Sequence, residues 1–246
     1  MEDNRTLDFS FEVSGKIWKL VIDEYFSQLA LEVRDDEEQE LSFLVFNVDS
    51  LTISDYLQHQ TADWWTTLVA VRERYLFLDQ YTDPQDPTSK ALMYWNWENG
   101  QAKSLEDFQL LTIDGDKLGG TSASDRSINK VSDTIDLPQV GEKNQIDYPD
   151  FYSSDTQTHK LVCDYLEVEL DLGIEYFEQA ENIIISYYVR SGAKFDRKLA
   201  VIKDGEEVFH QVQDFGMEGF AAGAFFILSE YLIFITNSNQ INGIKI

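Results

Sequence analysis

The same order of strands and turns recurs along this chain at an interval of about 50 residues. Each copy has a strand, a charged bend before an aromatic residue, a second strand, a polar loop and a third strand that ends in a turn. The turns begin at Asp49, Asn99 and Asp204, so the intervals are 50 and 105 residues, and one weaker copy fits the longer interval. A period of roughly 40–50 residues with about four strands is typical of propeller blades.

The two ends of the chain complement each other in this pattern. Ser229–Ile246 reads as an apolar strand, a polar turn and a second strand, after which its copy lacks a further strand. Leu7–Val13 alternates apolar and polar residues, the period of a half-buried strand, and it has no local partner. Because open sheet edges invite aggregation, we predict that this N-terminal strand pairs with the C-terminal copy.

The pattern predicts an all-β fold, a β-propeller-like ring of about five blades, one of them degenerate, closed by the N- and C-terminal strands. We expect residues 1–246 to form a single propeller-like domain, with a weakly patterned, loop-rich segment at residues 114–158. Short strands are expected within that segment, one of them at Thr134–Leu137. A large β-sandwich or an irregular barrel with coincidental spacing is the alternative.

Three shorter stretches carry their own local predictions. Asp63–Val71 is predicted to be a strand because it is rich in Thr and Val, although Asp63 is also a typical helix cap. Ser104–Asp107 is a weak capping motif that predicts one helical turn. Leu166–Leu172 alternates and is predicted to be a strand.

The net charge of −26 limits the classes of partner. It argues against binding to nucleic acid, because a protein binds the phosphate backbone through clustered Lys and Arg. It also argues against binding to anionic membrane surfaces. It favours solubility, a cationic partner or a saline cytosol, and a solvated acidic surface explains it without any specific partner.

Two further features indicate a cytoplasmic protein. Cys163 is the single cysteine, so no internal disulfide forms and a reducing compartment is expected. The N-terminus lacks the basic and apolar regions of a signal peptide, and the longest apolar run, Gly219–Leu228, is too short to span a bilayer.

Four residues are the candidate binding residues: Arg34, Asp63, Trp64 and Trp65. Adjacent tryptophans on a strand face opposite sides, so one fills the core and the other could be exposed. An exposed tryptophan beside a carboxylate suits sugars, cations or a peptide, but burial of both rings between blades is the interpretation that we favour. Arg34 is expected to be ion-paired, and the alternative is that it presents its guanidinium to an anion.

No catalytic signature is present, and we predict no metal site and no cofactor. His59, His159 and His210 are far apart in sequence and are expected to be surface residues. Cys163 beside Asp164 is expected to be a packed cysteine in a strand rather than a nucleophile. Asp114 and Asp116 lie near other acids without the regular spacing of a calcium loop.

The chain resembles an uncharacterised bacterial family, a domain of unknown function. The resemblance rests on four stretches and covers most of the chain, with the middle third matching least: Ile17–Leu20, Leu31–Asp35, Asp63–Trp65 and Tyr231–Ile246. The family has no known activity, so the resemblance adds no chemistry.

Two functions from different classes therefore remain. The first is a non-enzymatic binding or scaffold module that recognises a protein, a peptide or a small molecule. The alternative is a hydrolase or lyase with carboxylates that converge on a central channel, with or without a metal ion. A propeller supports either one, so the predicted fold does not decide between them.

Overall fold

The computed structural model describes residues 6–58, 63–83, 85–86, 88–114, 117–133 and 142–246. Over these residues the chain is nearly all β, and it contains one helix, α1 (Gln157–Leu166). The strands in chain order are β1 (Phe9–Glu12), β2 (Lys16–Asp23), β3 (Gln28–Asp35), β4 (Glu40–Asn47), β5 (Thr52–Gln58), β6 (Thr66–Arg72), β7 (Tyr75–Tyr81), β8 (Lys90–Asn96), β9 (Gln101–Glu106), β10 (Gln109–Asp114), β11 (Lys117–Thr121), β12 (Asn129–Asp133), β13 (Ile146–Asp147), β14 (Asp150–Tyr152), β15 (Ile174–Gln179), β16 (Asn182–Ser191), β17 (Lys194–Lys203), β18 (Glu206–Met217), β19 (Phe225–Leu228), β20 (Tyr231–Thr236) and β21 (Gln240–Lys245).

The chain divides into two compact units. The first, here called the central unit, is Ser14–Asn144. The second, here called the terminal unit, combines Met1–Val13 with Gln145–Ile246 and so contains both ends of the chain.

The central unit contains three antiparallel sheets whose neighbouring strands are also neighbours in sequence. Their orders are β2-β3-β4-β5, β6-β7-β8-β9 and β10-β11-β12. The first strands of the two four-stranded sheets begin at Lys16 and Thr66, which are 50 residues apart. The interval seen in the sequence is therefore the length of one four-stranded sheet with its connection.

The sheets of the central unit pack face to face. One core cluster joins side chains of β3 and β4, such as Phe43, to side chains of β6–β8, such as Leu76. A second cluster joins the other face of β7 and β8, including Phe77, to Phe108 and to Leu118 of β11. Strands β7 and β8 are therefore buried on both faces.

Strand β3 is buried along its whole centre. Leu29 and Leu31 are fully buried, and so are Ala30 and Glu32, which alternate with them. Alternation in the sequence therefore does not correspond to a solvent-facing side in this strand, because a second sheet covers the face that carries Ala30.

The terminal unit contains two five-stranded antiparallel sheets. Their orders are β14-β15-β16-β17-β18 and β1-β21-β20-β19-β13. They share a core that includes Val201 from the first and Phe234 from the second. Strand β1 pairs with β21 in the register Phe9 with Gly243 through Glu12 with Gln240, which confirms the predicted pairing of the two ends of the chain.

Helix α1 covers the other face of the sheet β14–β18. Thr156 caps it by accepting a hydrogen bond from the backbone N–H of His159, and Val162 packs with Ile185 and Ile202 of the sheet. The sequence did not predict this helix. Among the described residues no helix is long and apolar enough to cross a membrane.

Several local predictions are corrected by the structure. Leu166–Leu172 is not a strand: Leu166 ends the helix, and Val168 and Leu170 pack into the core beneath it without a strand partner. The helical turn at Ser104–Asp107 is wrong because Gln101–Glu106 pairs with β8 as strand β9.

Two further predictions have different outcomes. The strand expected at Asp63–Val71 begins only at Thr66, after a turn that contains Trp64 and Trp65. Thr134–Leu137 lies outside the described residues, but the segment 114–158 does contain short strands, namely β11 to β14.

Candidate functional site

Arg34 and Trp64, two of the predicted site residues, are in direct contact in the central unit. The guanidinium of Arg34 lies between two indole rings, 5.0 Å from the centre of Trp64 and 5.5 Å from the centre of Trp18. Its Nη1 donates to the carbonyl of Trp64 at 3.0 Å, and its Nη2 donates to the carbonyl of Thr66 at 3.0 Å. We call the three side chains Trp18, Arg34 and Trp64 the tryptophan–arginine cluster.

Glu32 neutralises the charge of Arg34. Its Oε1 accepts from Nε of Arg34 at 2.7 Å and lies 2.6 Å from Nη2. Its Oε2 accepts from the hydroxyl of Thr67 at 2.8 Å and from the backbone N–H of Leu68 at 2.7 Å. Both oxygens of this fully buried carboxylate are therefore satisfied, which is the condition for burying a charge at tolerable cost.

The ion pair of Arg34 confirms the first of its two predicted roles. The three guanidinium nitrogens already donate to Glu32, Trp64 and Thr66, and both faces of the group are covered by tryptophan. Arg34 therefore joins strand β3 to the start of β6 and holds two indole rings in place. Its guanidinium group is used for these contacts rather than for binding an anion.

Trp18 is exposed because of an irregularity in β2. The register between β2 and β3 shifts between Ile17 and Lys19, so Trp18 is the extra residue of a β-bulge. Bulges redirect a side chain, and 64% of Trp18 is accessible to solvent. Sequence reasoning did not select Trp18 as a binding residue, because the pattern of β2 does not reveal the bulge.

Asp63, Trp64 and Trp65 form the turn that leads into β6. The carboxylate of Asp63 accepts from the backbone N–H of Trp65 at 3.0 Å and from the hydroxyl of Thr66 at 3.2 Å. Trp64 packs against the core between the first two sheets, whereas 51% of Trp65 is exposed. Burial of both rings, which the sequence interpretation favoured, is therefore wrong for Trp65. One ring packed inside and one exposed was the alternative, although its reason is the turn rather than the alternation of a strand.

The surroundings of the cluster are acidic. Arg34 is followed by the acidic loop between β3 and β4, in which the carboxylate of Asp35 accepts from the backbone N–H groups of Glu37 and Glu38. Lys16 forms an exposed ion pair with Asp36 at 3.6 Å. The charge of Arg34 is already matched by Glu32, so this part of the surface carries a negative excess.

The predicted histidine and cysteine positions do not come together as a metal site. His159 and Cys163 lie one turn apart on α1, with Nδ1 and Sγ separated by 3.5 Å, and Nε2 of His159 lies 2.9 Å from the carbonyl of Leu172. Within the described ranges no group of three or more His, Cys, Asp and Glu could hold a metal ion. His59 and Asp116 lie outside those ranges.

Cys163 packs against the core beneath α1. This placement agrees with the prediction of a packed cysteine, although it lies in a helix rather than in a strand. His210 lies on β18, where its Nε2 is 3.2 Å from the hydroxyl of Tyr187.

Comparison with known families gives one match. Residues 22–103 match the model of a domain of unknown function, DUF4905. The match supports the resemblance to an uncharacterised family over strands β3 to β8, and it does not extend to Ile17–Leu20 or to Tyr231–Ile246. No curated protein matches the sequence.

Three solved structures show distant similarity, each at 12% sequence identity. One is a prolyl endopeptidase, with a TM-score of 0.32 over 92% of this chain and 42% of that one. The others are a bifunctional GH43-CE protein of Bacteroides eggerthii (TM-score 0.31; 94% and 34%) and an acylaminoacyl peptidase of Pyrococcus horikoshii (TM-score 0.25; 96% and 37%). The chain thus spans less than half of each solved chain, and these TM-scores carry no argument about its fold or activity.

Proposed function

We propose that the chain is a non-enzymatic binding module, built as a propeller-like ring of about five blades, that recognises a basic peptide segment of a partner protein. The binding surface is formed by Trp18 and Trp65 on the central unit. This proposal rests on one observation above all, namely the exposure of Trp18, a member of the tryptophan–arginine cluster, and of Trp65, which follows Trp64 of that cluster in the turn before β6.

The sheet topology supports the propeller-like part of the proposal. The sheets of the central unit follow the chain as meanders and pack face to face, as the blades of a propeller do. In the terminal unit, β1 from the start of the chain completes the sheet that contains the last strand. Such an exchange between the ends of a chain is the expected closure of a repeat ring.

Rigidity supports a binding role for Trp18. One face of its ring is held against the guanidinium of Arg34, while 64% of the side chain remains accessible. Tryptophans that are rigid before binding lose little conformational entropy when a partner covers them, and they are enriched among the residues that dominate interface energies.

Charge supports a basic partner. An exposed indole attracts Lys and Arg through the cation–π interaction. The acidic loop after Arg34 and the net charge of −26 would steer a cationic segment toward this surface and would disfavour an acidic one.

The test is a binding measurement with labelled synthetic peptides. Fluorescence anisotropy would compare an Arg- and Lys-rich peptide with a Glu-rich peptide of equal length on the intact protein. We expect binding of the basic peptide only, and a loss of about tenfold in affinity or more for Trp18→Ala and for Trp65→Ala. Both side chains are more than half exposed, so Trp65→Ala should leave the melting temperature unchanged, and Trp18→Ala should lower it only slightly through the lost contact with Arg34.

Phe215→Ala is the matched control, because Phe215 is 67% exposed but lies on β18 of the terminal unit. Its affinity for the basic peptide should equal that of the wild type. Equal affinity of the wild type and both tryptophan variants would contradict the proposal. Stoichiometric metal in the purified protein together with hydrolysis of a substrate would favour the hydrolase or lyase instead.

A further inference from the structure

A histidine and the single cysteine of the chain meet on helix α1 of the terminal unit. His159 and Cys163 are four residues apart, so both side chains lie on one face of the helix, with Nδ1 of the imidazole 3.5 Å from Sγ. Sulfur is larger than oxygen, so this distance is within reach of a hydrogen bond from the thiol to the ring nitrogen. The pair places a nucleophile beside a base, which is the arrangement that cysteine chemistry requires.

The end of α1 decides which ring nitrogen faces the thiol. Glu167 has a left-handed backbone (φ 53°) and ends the helix, and the chain then turns back so that the carbonyl of Leu172 lies 2.9 Å from Nε2 of His159. A carbonyl oxygen only accepts hydrogen bonds, so Nε2 of neutral His159 carries the proton and Nδ1 has a free lone pair. That lone pair is the acceptor for the proton of Cys163.

The thiol borders a cavity, whereas its base is buried. Only 3% of His159 is exposed, and its backbone N–H is capped by Thr156, while Cys163 is half-buried. Both His159 and Cys163 line a cavity of about 550 Å³, within the size range of small-molecule sites. A small reagent therefore reaches the sulfur while the imidazole stays fixed behind it.

The cavity has an excess of negative charge. Among the described residues that line it, one ammonium group, that of Lys160, stands against three carboxylates. The carboxylates belong to Asp164, Glu167 and Glu169, all of which are exposed. Such a surface attracts a cationic reagent and repels an anionic one.

We propose that Cys163 is a reactive thiol that forms a mixed disulfide with small disulfides carrying ammonium groups. Its Sγ attacks one sulfur of the reagent while His159 takes the thiol proton. The S–S bond of the reagent breaks, a new S–S bond joins Cys163 to one half, and the other half leaves as a thiol with the proton from His159. One disulfide is consumed and one is formed, so the step needs no further oxidant.

The helix explains why the sequence indicated an unreactive cysteine. In the expected strand, His159 and Cys163 would be separated by about 13 Å. Helix α1, which the sequence did not predict, brings the two side chains together. The site shares no residue with the surface of Trp18 and Trp65, so the two proposals stand or fail separately.

The experiment measures how fast the intact, reduced protein forms a mixed disulfide, by mass spectrometry of the whole chain. The probes are cystamine, bis(2-hydroxyethyl) disulfide and 3,3′-dithiodipropionate, which are cationic, neutral and anionic. Each rate is divided by the rate of the same reagent with the protein unfolded in urea, which removes the intrinsic reactivity of the reagent. Because Cys163 is the single cysteine, every adduct reports on this site. At low ionic strength, the normalised rate should be about tenfold higher for cystamine than for the neutral disulfide, and lowest for the anion.

The role of the base is tested with the neutral disulfide. The folded protein should react about tenfold faster than the unfolded protein, because only folding places a base at the thiol. His159→Gln should remove at least this advantage, since glutamine can donate to the carbonyl of Leu172 but has no basic nitrogen. Thermal denaturation checks that the variant is folded, and if it is not, the comparison of folded and unfolded wild type still decides.

Glu167→Gln combined with Glu169→Gln tests the role of charge. The rate with cystamine should fall about threefold, and the rate with the neutral disulfide should not change. The matched control is Glu37→Gln combined with Glu38→Gln, two exposed acids of the central unit, which should leave every rate unchanged.

Three results would overturn the proposal. The first is a folded protein that reacts with the neutral disulfide no faster than the unfolded protein. The second is a folded His159→Gln variant that reacts at the wild-type rate. The third is an equal normalised rate for the three disulfides.

Discussion

The buried pair of Glu32 and Arg34 shows how single residues connect two sheets of the central unit. The carboxylate on β3 accepts the backbone N–H of Leu68 on β6, and the guanidinium donates to carbonyls of the turn before β6. Asp23 plays a similar part, since it accepts the backbone N–H of Glu73 at 2.6 Å and pairs with Arg72 at 3.3 Å. Burial raises the pKa of Asp23 above its ordinary value, while these hydrogen bonds oppose that shift.

We predict that Glu32→Gln lowers the free energy of unfolding by about 3 kcal/mol, because it leaves the charge of Arg34 largely buried without a partner. Urea denaturation measures the change. Glu38→Gln, on the exposed acidic loop, should change stability by no more than about 0.5 kcal/mol. The double variant Glu32→Gln with Arg34→Met should be more stable than the sum of its single changes, and strict additivity would refute direct coupling.

Asp107 provides a prediction of pH dependence. Hydrogen bonds from Lys130, from the hydroxyl of Ser122 at 2.6 Å and from the backbone N–H of Ser124 at 2.8 Å hold its pKa well below the ordinary value of 3.8. A carboxylate whose pKa is lowered by folding stabilises the folded state above its unfolded pKa, and it loses this contribution as the pH falls toward the folded pKa.

Asp107→Asn should therefore be less stable than the wild type at neutral pH, and the difference should shrink as the pH falls below about 3.8. Thermal denaturation of both proteins across this range measures the effect. A difference that stays constant into strong acid would show that the charge of Asp107 contributes nothing.

The candidate site was predictable in part at the level of residues. Arg34, Asp63, Trp64 and Trp65 could be selected because Trp, Arg and a neighbouring acid are conspicuous in sequence. Glu32 and Trp18 were missed as site residues. Glu32 is buried because a neighbouring sheet covers it, and Trp18 is exposed because the strand register shifts at a bulge in β2.

At the scale of elements, the pairing of β1 with β21 depends on one close approach. The ring of Phe9 lies over Gly243, where an added Cβ would fall 2.1 Å from Cε1 and 2.2 Å from Cζ of Phe9. Glycine is thus required at this position for packing rather than for backbone conformation.

We predict that Gly243→Ala lowers stability by about 1–3 kcal/mol through overpacking. In a Phe9→Ala background the same change should have almost no further effect, because the space above Gly243 is then empty. Gly219→Ala is the control, since a Cβ there would meet nothing within 4 Å. An equal loss in both backgrounds, measured by chemical denaturation, would mean that Phe9 does not pack on Gly243.

The errors in element assignment share one cause. Leu166–Leu172 alternates as a strand does, but its apolar side chains pack beneath α1 and no strand lies beside it. Alternation of apolar and polar residues indicates which side chains are buried. It does not indicate whether the backbone forms hydrogen bonds with a neighbouring strand.

At the scale of the whole molecule, the terminal unit depends on a segment that lies more than 130 residues away in sequence from the rest of it. We predict that deletion of Met1–Val13 causes unfolding or aggregation of this unit, because it removes β1 and exposes the edge of β21. Hydrogen exchange should show the loss of protection first in β19 to β21. A smaller deletion, of residues 1–5, is the control because it leaves β1 in place.

A soluble truncated protein with an unchanged melting temperature would contradict this prediction. Loss of protection that begins in β2 to β9 would also count against it, since those strands belong to the central unit.

The sequence by itself determined the all-β class, the interval of 50 residues, the order of most strands and the pairing of the two ends of the chain. These features follow from local patterns, because alternation and turn residues act over a few positions and repeat with the sheets. Only the tertiary structure decided that β3 is buried on both faces and that Trp18 is turned outward. Each of these depends on a neighbouring sheet or on strand register, which are set by contacts between residues far apart in sequence.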